Sequence, residues 1–181
     1  ERDSRILVLN NSYRATIEIT EAASKLSGFL EVPETYKAIP VIRHGKKVQV
    51  IKKENQSAIA EEIAKQVSKA QEEKYKSIAI VCKNKQESQT YAKLLEDQMC
   101  ERGGVAPSLL TGREDAYTGG VVVLPAYLVK GLEFDVVFIA DAGSHNYQVN
   151  SIDARLLYVS MTRPLHRLYI YYSGELSGLL S

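Results

Sequence analysis

Short apolar runs alternate along this sequence with longer segments in which apolar residues recur at helical spacing. Nearly continuous runs of apolar, β-branched and aromatic residues predict buried strands over residues 6–9, 77–82, 121–124, 135–140 and 168–172. Amphipathic spacing predicts helices over residues 16–26, 55–74, 86–102 and 152–161. Because strands and helices alternate, the pattern favours an α/β fold with a mostly parallel sheet flanked by helices.

One segment departs from this alternation. Residues 41–43 and 48–51 flank the turn-like stretch 44–47, and this arrangement predicts a hairpin or strand-turn. Basic side chains cluster around it: Arg43, His44, Lys46, Lys47, Lys52 and Lys53. The cluster fits either a solvated hairpin whose charges prevent edge pairing or a contact to nucleic-acid phosphates. The first interpretation is favoured, because Glu54 and nearby helix carboxylates dilute the positive charge.

Composition and charge exclude several classes of protein. The 181 residues contain 23 Lys and Arg against 22 Asp and Glu, for a net charge of +1, so any nucleic-acid contact must be local. Two cysteines are too few for a disulfide framework. No bilayer-length apolar run or signal segment is present, which predicts a cytoplasmic protein without a membrane partner. Because the chain begins at Glu1 rather than Met, we interpret residues 1–181 as one domain of a longer protein.

Two familiar catalytic arrangements are not supported. The only Gly-Lys pair is Gly45-Lys46, and Lys47 follows it, so the sequence lacks the phosphate-binding loop G-x-x-x-x-G-K-[ST]. Without that loop, Asp141 after an apolar run is better interpreted as the end of a core strand than as a magnesium ligand. Asp141, Ser144 and His145 lie too close in sequence to favour a hydrolytic triad.

Three segments hold residues suited to chemistry at a ligand site. Arg14 follows the first predicted strand, at the end where α/β sheets bind ligands. Gly131 permits a tight turn, and Glu133 comes just before the predicted strand 135–140. Arg163 ends a predicted helix and precedes Pro164, which makes a break there. From position alone, Arg14 also fits a surface arginine and Arg163 also fits neutralisation of a helix end.

In this order, the three segments resemble motifs IV, V and VI of the UvrD/Rep-like superfamily 1 helicases, in their second RecA-like motor domain. Motif IV corresponds to residues 11–16, motif V to residues 130–138 and motif VI to residues 157–163. Residues 78–96 are similar to a further stretch usually written I-L-x-R-x-N. The resemblance implies a RecA-like domain over nearly the whole chain. No large inserted domain is expected, because predicted core elements occupy the stretch between motifs IV and V.

The resemblance also implies a nucleotide site. ATP would bind between this domain and a missing N-terminal RecA-like domain, which would supply the phosphate loop, the magnesium ligands and the catalytic carboxylate. Arg14 and Arg163 would act as arginine fingers on the γ-phosphate, and Glu133 would accept a hydrogen bond from the ribose. Tyr13 and Gly131 belong to the same nucleotide contact. The isolated domain is expected to be inactive.

The approach to motif V departs from the usual T-x-H pattern, whose Thr and His lie near the single-stranded DNA track in UvrD-like enzymes. Pro125 and Tyr127 stand there instead, which is similar to the helicase IV/HelD branch, some of whose members act on RNA polymerase. The residues expected near single-stranded DNA are Tyr127, Lys83 and Asn84.

The sequence is therefore compatible with three functions. The first is one half of an ATP-dependent DNA helicase or translocase, and the second is a HelD-like ATPase that remodels or recycles RNA polymerase. The third is a RecA-like fold kept only as a protein-binding module. The joint presence of Arg14, Glu133 and Arg163 argues against the third.

Overall fold

The computed structural model describes residues 11–12, 15–30, 39–40, 43–112 and 117–181. The predicted strand over residues 6–9, as well as Tyr13 and Arg14, lies outside these residues. In chain order the elements are β1 (Asn11–Ser12), α1 (Ile17–Ser24), β2 (Ile39–Pro40), β3 (Gln49–Lys53), α2 (Gln56–Glu72), β4 (Ser77–Cys82), α3 (Lys85–Glu101), β5 (Ser108–Leu109), β6 (Gly120–Pro125), β7 (Phe134–Ile139), α4 (Ser151–Met161) and β8 (Pro164–Ser173). Short 3-10 turns cover Lys25–Phe29 and Ala126–Leu128.

Six strands form one parallel sheet in the order β3-β8-β7-β4-β6-β5. Alternate residues of β7 face opposite sides, so Val137 and Ile139 pack with α1 and α4, whereas Val136 and Phe138 pack with α2 and α3. Both faces of the sheet are therefore covered, which explains why the central strands are nearly continuous apolar runs. The predicted α/β fold with a mostly parallel sheet is confirmed.

The predicted hairpin is wrong in its second strand. β3 pairs in parallel with β8, with Val50 opposite Ile170, and β2 pairs in parallel with β1 in a separate small sheet. Residues 43–48 have no regular structure, and residues 41–42 lie outside the described part of the chain. Turn-like composition favours a turn but does not select the pairing partner of the strand that follows it. The two-residue strand β5 is too short to stand out in the sequence.

Asparagine side chains fix where three helices begin. The Oδ1 atoms of Asn55, Asn84 and Asn150 accept backbone N–H groups of Ala58, Glu87 and Asp153, at distances of 3.0, 2.9 and 2.8 Å. Each cap satisfies one of the amide groups left without a partner at a helix start. After its cap at Asn150, α4 runs from Ser151 to Met161, shortly before β8 begins at Pro164.

Because the sheet is parallel, the strand starts share one edge and the strand ends share the other. We call these the amino edge and the carboxyl edge. Residues 126–133, which contain a 3-10 turn, lead from the end of β6 back to the start of β7. Glu133 and Arg163 therefore lie at the amino edge, whereas Lys83, Asn84 and Tyr127 lie at the carboxyl edge. Among the described residues, no helix combines the length and apolar character needed to cross a membrane.

Candidate functional site

Arg163 is held at the amino edge by the end of α4. Its Nε donates to the carbonyl oxygen of Val159 at 3.0 Å, and its Nη2 lies 3.2 Å from Oγ1 of Thr162. Nη1 lies 3.5 Å from the carbonyl oxygen of Leu132, in the segment that leads into β7. The half-buried guanidinium thus contacts the last turn of α4, where a positive charge interacts favourably with the carboxyl end of the helix. It also lies against the segment that leads into β7.

The structure brings Glu133 and Gly131 to the same place. Gly131 has φ of 88°, in the left-handed region that favours glycine, and so permits the turn before β7. Glu133 is exposed, and the amide of the next residue, Phe134, donates to the carbonyl oxygen of Arg163 at 3.2 Å. Phe134 also lies opposite Pro164 in the sheet. Arg163 therefore lies beside the segment that contains Gly131 and Glu133, although the two segments are far apart in sequence.

Lys83, at the carboxyl edge, is engaged within the protein. Its Nζ donates to Oδ2 of Asp153 at 2.8 Å and to the carbonyl oxygen of Asn146, and lies 5.2 Å from the centroid of the Tyr147 ring. Only 22% of the Lys83 side chain is exposed, and Asp153 is buried. Lys83 therefore joins the end of β4 to the start of α4. Its predicted contact with DNA stays a prediction.

Asn84 has a structural role in the same region. It caps α3, and the first turn of that helix contains the buried Glu87. The Glu87 carboxylate accepts hydrogen bonds from the backbone amide of Lys83 at 2.6 Å and from Nδ2 of Asn146 at 2.9 Å. Burial raises the pKa of Glu87, and these hydrogen bonds oppose that shift. This network could not be predicted from the sequence, because its members come from three separate segments and only the helix cap has a local pattern.

Tyr127 is an exposed aromatic residue at the carboxyl edge. It lies in the turn Ala126–Leu128 with 51% of its surface exposed, and its Oη is 3.5 Å from the carbonyl oxygen of Thr111. Pro125, by contrast, is the buried last residue of β6. Tyr127 therefore offers an aromatic face at this edge, whereas Pro125 does not reach solvent.

Asp141 organises the loop after β7. Its buried carboxylate accepts the backbone amides of Gly143 and Ser173 at 3.1 and 3.0 Å and the hydroxyl of Ser173 at 2.9 Å. Nε2 of His145 lies 3.3 Å from the same carboxylate. The serine that contacts Asp141 is Ser173, not Ser144, and the described residues contain no cluster of His, Cys, Asp and Glu suited to a metal ion. These contacts agree with the interpretation of Asp141 as the end of a core strand.

Comparisons with known proteins identify the family. Two sequence profiles, both of the UvrD-like helicase C-terminal domain, match residues 7–106 and residues 120–171. The crystal structure of the C-terminal domain of a possible DNA helicase from Lactobacillus plantarum WCFS1 aligns with a TM-score of 0.73 at 30% identity, covering 94% of this chain and 92% of that chain. No curated protein sequence matches.

A second solved structure is more distant. Arterivirus nonstructural protein 10, a helicase determined in complex with DNA, aligns with a TM-score of 0.46 at 13% identity, covering 70% of this chain and 28% of that chain. The family assignment depends on the profile over residues 7–106, which is more than half of the chain, and on the bacterial domain. The resemblance to UvrD-like helicases is thus confirmed, and the sheet is that of a RecA-like domain. The chain belongs to the family of UvrD-like helicase C-terminal domains.

Proposed function

We propose that this domain is the C-terminal motor half of an ATP-dependent superfamily 1 DNA helicase or translocase. The observation that supports the proposal most directly is the hydrogen bond from the amide of Phe134 to the carbonyl oxygen of Arg163. It holds the segment of Glu133 beside Arg163 at the amino edge of a helicase C-terminal domain. An exposed carboxylate beside a positioned guanidinium has the chemistry to contact both the sugar and the phosphates of a nucleotide. The residues present therefore fit one side of a nucleotide site.

Each residue has a defined proposed role. ATP supplies, when bound, the phosphoanhydride whose hydrolysis drives the motor. Arg163 binds the γ-phosphate, where a fixed cation stabilises the charge that develops during phosphoryl transfer. Glu133 accepts a hydrogen bond from a ribose hydroxyl, and Gly131 shapes the turn that presents it. Arg14, with Tyr13 before it, is the second proposed contact from this domain; both lie outside the described residues.

An N-terminal RecA-like domain of the same protein is the proposed partner across the nucleotide. It supplies the phosphate loop and the magnesium ligands, neither of which the sequence of this domain provides. Nucleotide-dependent closure of the two domains would then convert hydrolysis into movement along single-stranded DNA.

Single-stranded DNA is proposed to bind at the opposite, carboxyl edge. The exposed ring of Tyr127 can stack on an unpaired base, and stacking tolerates any base because each has an aromatic face. Lys83 and Asn84 support this edge chiefly through the network that holds the starts of α3 and α4. With a net charge of +1, the isolated domain is expected to bind DNA weakly and in a salt-sensitive way.

The proposal is tested by comparing phosphate release from the 181-residue domain and from the full-length protein, with and without a single-stranded oligonucleotide. Turnover is expected from the full-length protein only, with stimulation by the oligonucleotide. Sustained hydrolysis by the domain alone would show that it contains a complete site. Absence of hydrolysis by the full-length protein would contradict the proposed motor.

A second candidate is a HelD-like ATPase that acts on RNA polymerase. In place of the T-x-H residues, this chain has Pro125, which is buried, and Tyr127, whose ring is exposed. We therefore expect fewer contacts to DNA at this edge than in helicases that have the T-x-H pattern. Recovery of RNA polymerase with the full-length protein, together with weak binding of a labelled oligonucleotide at near-physiological salt, would favour this candidate. Tight oligonucleotide binding without polymerase would favour an ordinary DNA helicase.

A further inference from the structure

The basic segment before β3 lies at the amino edge, not at the carboxyl edge proposed for DNA. β3 begins at Gln49, opposite Tyr169 of β8, and runs parallel to that strand. Residues 43–48 therefore run beside the first half of β8, whose start adjoins Arg163. Arg43, Lys46 and Lys47 therefore lie far from Tyr127, at the amino edge, which is the edge proposed to bind the nucleotide.

Contacts with the first turn of α1 fix this segment. The carbonyl oxygen of Arg43 accepts the amide of Ile17 at 3.0 Å, and the amide of Gly45 donates to Oε2 of Glu18 at 2.8 Å. A Cβ atom at Gly45 would lie 2.5 Å from Cγ2 of Thr16, so this close approach depends on glycine. Arg43 is thus held beside the beginning of α1, directly after the motif IV segment.

The side chain of Arg43 is held by a neutral imidazole. Its Nη2 lies 2.7 Å from Nδ1 of His166, and since the guanidinium can only donate, Nδ1 must accept. Burial lowers the pKa of His166 and the charge of Arg43 lowers it further, while Asp135 opposes both. Arg167 on the same strand also lowers this pKa, and the ring of Tyr75 packs 5.3 Å away.

Asp135 orients the other side of the imidazole. Its Oδ1 is 3.8 Å from Nε2 of His166, and its Oδ2 accepts the amides of Lys76 and Ser77 at 2.8 and 2.9 Å. Burial raises the pKa of Asp135, but the hydrogen bonds from these amides outweigh burial and lower it. The carboxylate therefore stays ionised and fixed behind the histidine.

Among the described residues, this arrangement does not neutralise the positive charge of Arg43. Within the described parts of the chain, Arg43 forms no ion pair with a carboxylate, and its side chain is exposed. Arg167, in contrast, pairs with Glu73. A neutral histidine orients a guanidinium without neutralising it, so Arg43 remains able to attract an anion.

Arg43 is also close to the proposed nucleotide contacts. Arg43 contacts His166, which follows Arg163 by three residues, and Asp135 follows Glu133 by two. At about 3.3 Å per residue, the backbone at His166 is therefore at most about 10 Å from that at Arg163. We propose that Arg43 is a further nucleotide-binding residue, which contacts the phosphates of the bound nucleoside triphosphate beside Arg163. This inference rests on the proposed function. A planar guanidinium can donate two hydrogen bonds to phosphate oxygens, which suits a polyanion of linked phosphates.

Equilibrium binding of a fluorescent ATP analogue to the full-length protein tests this inference without relying on turnover. Arg43→Ala is expected to weaken binding by about tenfold or more, because a charge-assisted hydrogen bond is lost. Lys93→Ala removes an exposed positive charge from α3, outside the proposed site, and is the control that is expected to bind like the unaltered protein. Arg43→Gln, which keeps a polar side chain without the charge, is expected to weaken binding as Arg43→Ala does. Thermal melting of each variant checks that the fold is intact.

The outcomes separate this inference from the proposed function. If Arg163→Ala weakens binding but Arg43→Ala does not, Arg43 is not in the site and the proposed function stands. If neither substitution changes binding of the ATP analogue, the amino edge is not the nucleotide site and both proposals fail. An equal loss for a fluorescent AMP analogue would also overturn the inference, because the effect would not depend on the additional phosphates.

Discussion

The backbone amide of Phe134 donates a hydrogen bond to the carbonyl oxygen of Arg163 at an N···O distance of 3.2 Å. This bond joins the segment that presents Glu133 to Arg163, two residues after the end of α4. Nη1 of Arg163 lies 3.5 Å from the carbonyl oxygen of Leu132 in the same segment. Glu133 and Arg163 are therefore positioned by the same backbone contacts. A nucleotide that contacts one would lie within reach of the other.

Gly143 lies where a side chain cannot fit. A Cβ atom there would be 2.5 Å from Cε1 of His145 and 2.8 Å from the carbonyl oxygen of Ser173. The ring can move, but the β8 backbone cannot, so Gly143→Ala is expected to lower the free energy of unfolding by about 1–3 kcal/mol. Gly28→Ala is the control, because a Cβ atom there has no neighbour within 4 Å. Urea unfolding of the 181-residue chain measures both, and equal effects would contradict the prediction.

The ion pair between Lys83 and Asp153 is expected to stabilise the domain. Lys83→Met leaves the buried Asp153 without its cation and should lower the free energy of unfolding by about 1–3 kcal/mol. Lys85→Met, at the exposed start of α3, is the control. In a double-mutant cycle with Asp153→Asn, the two losses should be less than additive, because they share one interaction. Strict additivity would show that the pair is not coupled.

Much of the fold could be predicted from the sequence because its determinants are local. The apolar runs of β4, β6 and β7 and the amphipathic spacing of α2 and α3 were interpreted correctly, with ends shifted by one or two residues. The pairing of β3 could not be predicted, because an exposed five-residue strand contains no pattern that selects β8 over a hairpin partner.

The candidate site was predictable only where its residues form motifs. Glu133 and Arg163 stand in recognisable segments, and the structure brings them together. Lys83 contacts Asp153, and His166 contacts Arg43. In each pair the two residues are distant in sequence and meet only in the folded protein. No local spacing encodes such pairs.

Glu18 is expected to titrate well below an ordinary glutamate. Hydrogen bonds from its own backbone amide and from that of Gly45 lower its pKa from 4.5 to about 2. A carboxyl whose pKa is lower in the folded state contributes stability above the unfolded value, and this contribution is lost as pH falls from about 4.5 toward about 2. The stability difference between the unaltered chain and Glu18→Gln should therefore shrink over this range. NMR titration of the Glu18 carboxyl checks the pKa, and a value near 4.5 would contradict it.

Tyr127 is expected to contribute to binding of single-stranded DNA by the full-length protein. Tyr127→Ala removes the exposed ring and should weaken binding by about 5- to 150-fold, corresponding to about 1–3 kcal/mol for one stacked base. Tyr127→Phe keeps the ring and should bind nearly as well. Fluorescence anisotropy of a labelled oligonucleotide at fixed salt measures both variants. Unchanged binding by Tyr127→Ala would remove Tyr127 from the DNA contact.

The central claim is that Arg163 acts on a nucleotide bound at the amino edge, and the most direct test is the kcat of ATP hydrolysis by the full-length protein. Arg163→Ala is expected to lower kcat by about 10³–10⁵-fold, and Arg163→Lys should restore little, because an ammonium lacks the planar fork. Arg155→Ala, on the exposed side of α4, is the control and should keep its rate. A kcat for Arg163→Ala close to that of the unaltered protein, with the fold intact by thermal melting, would contradict the account.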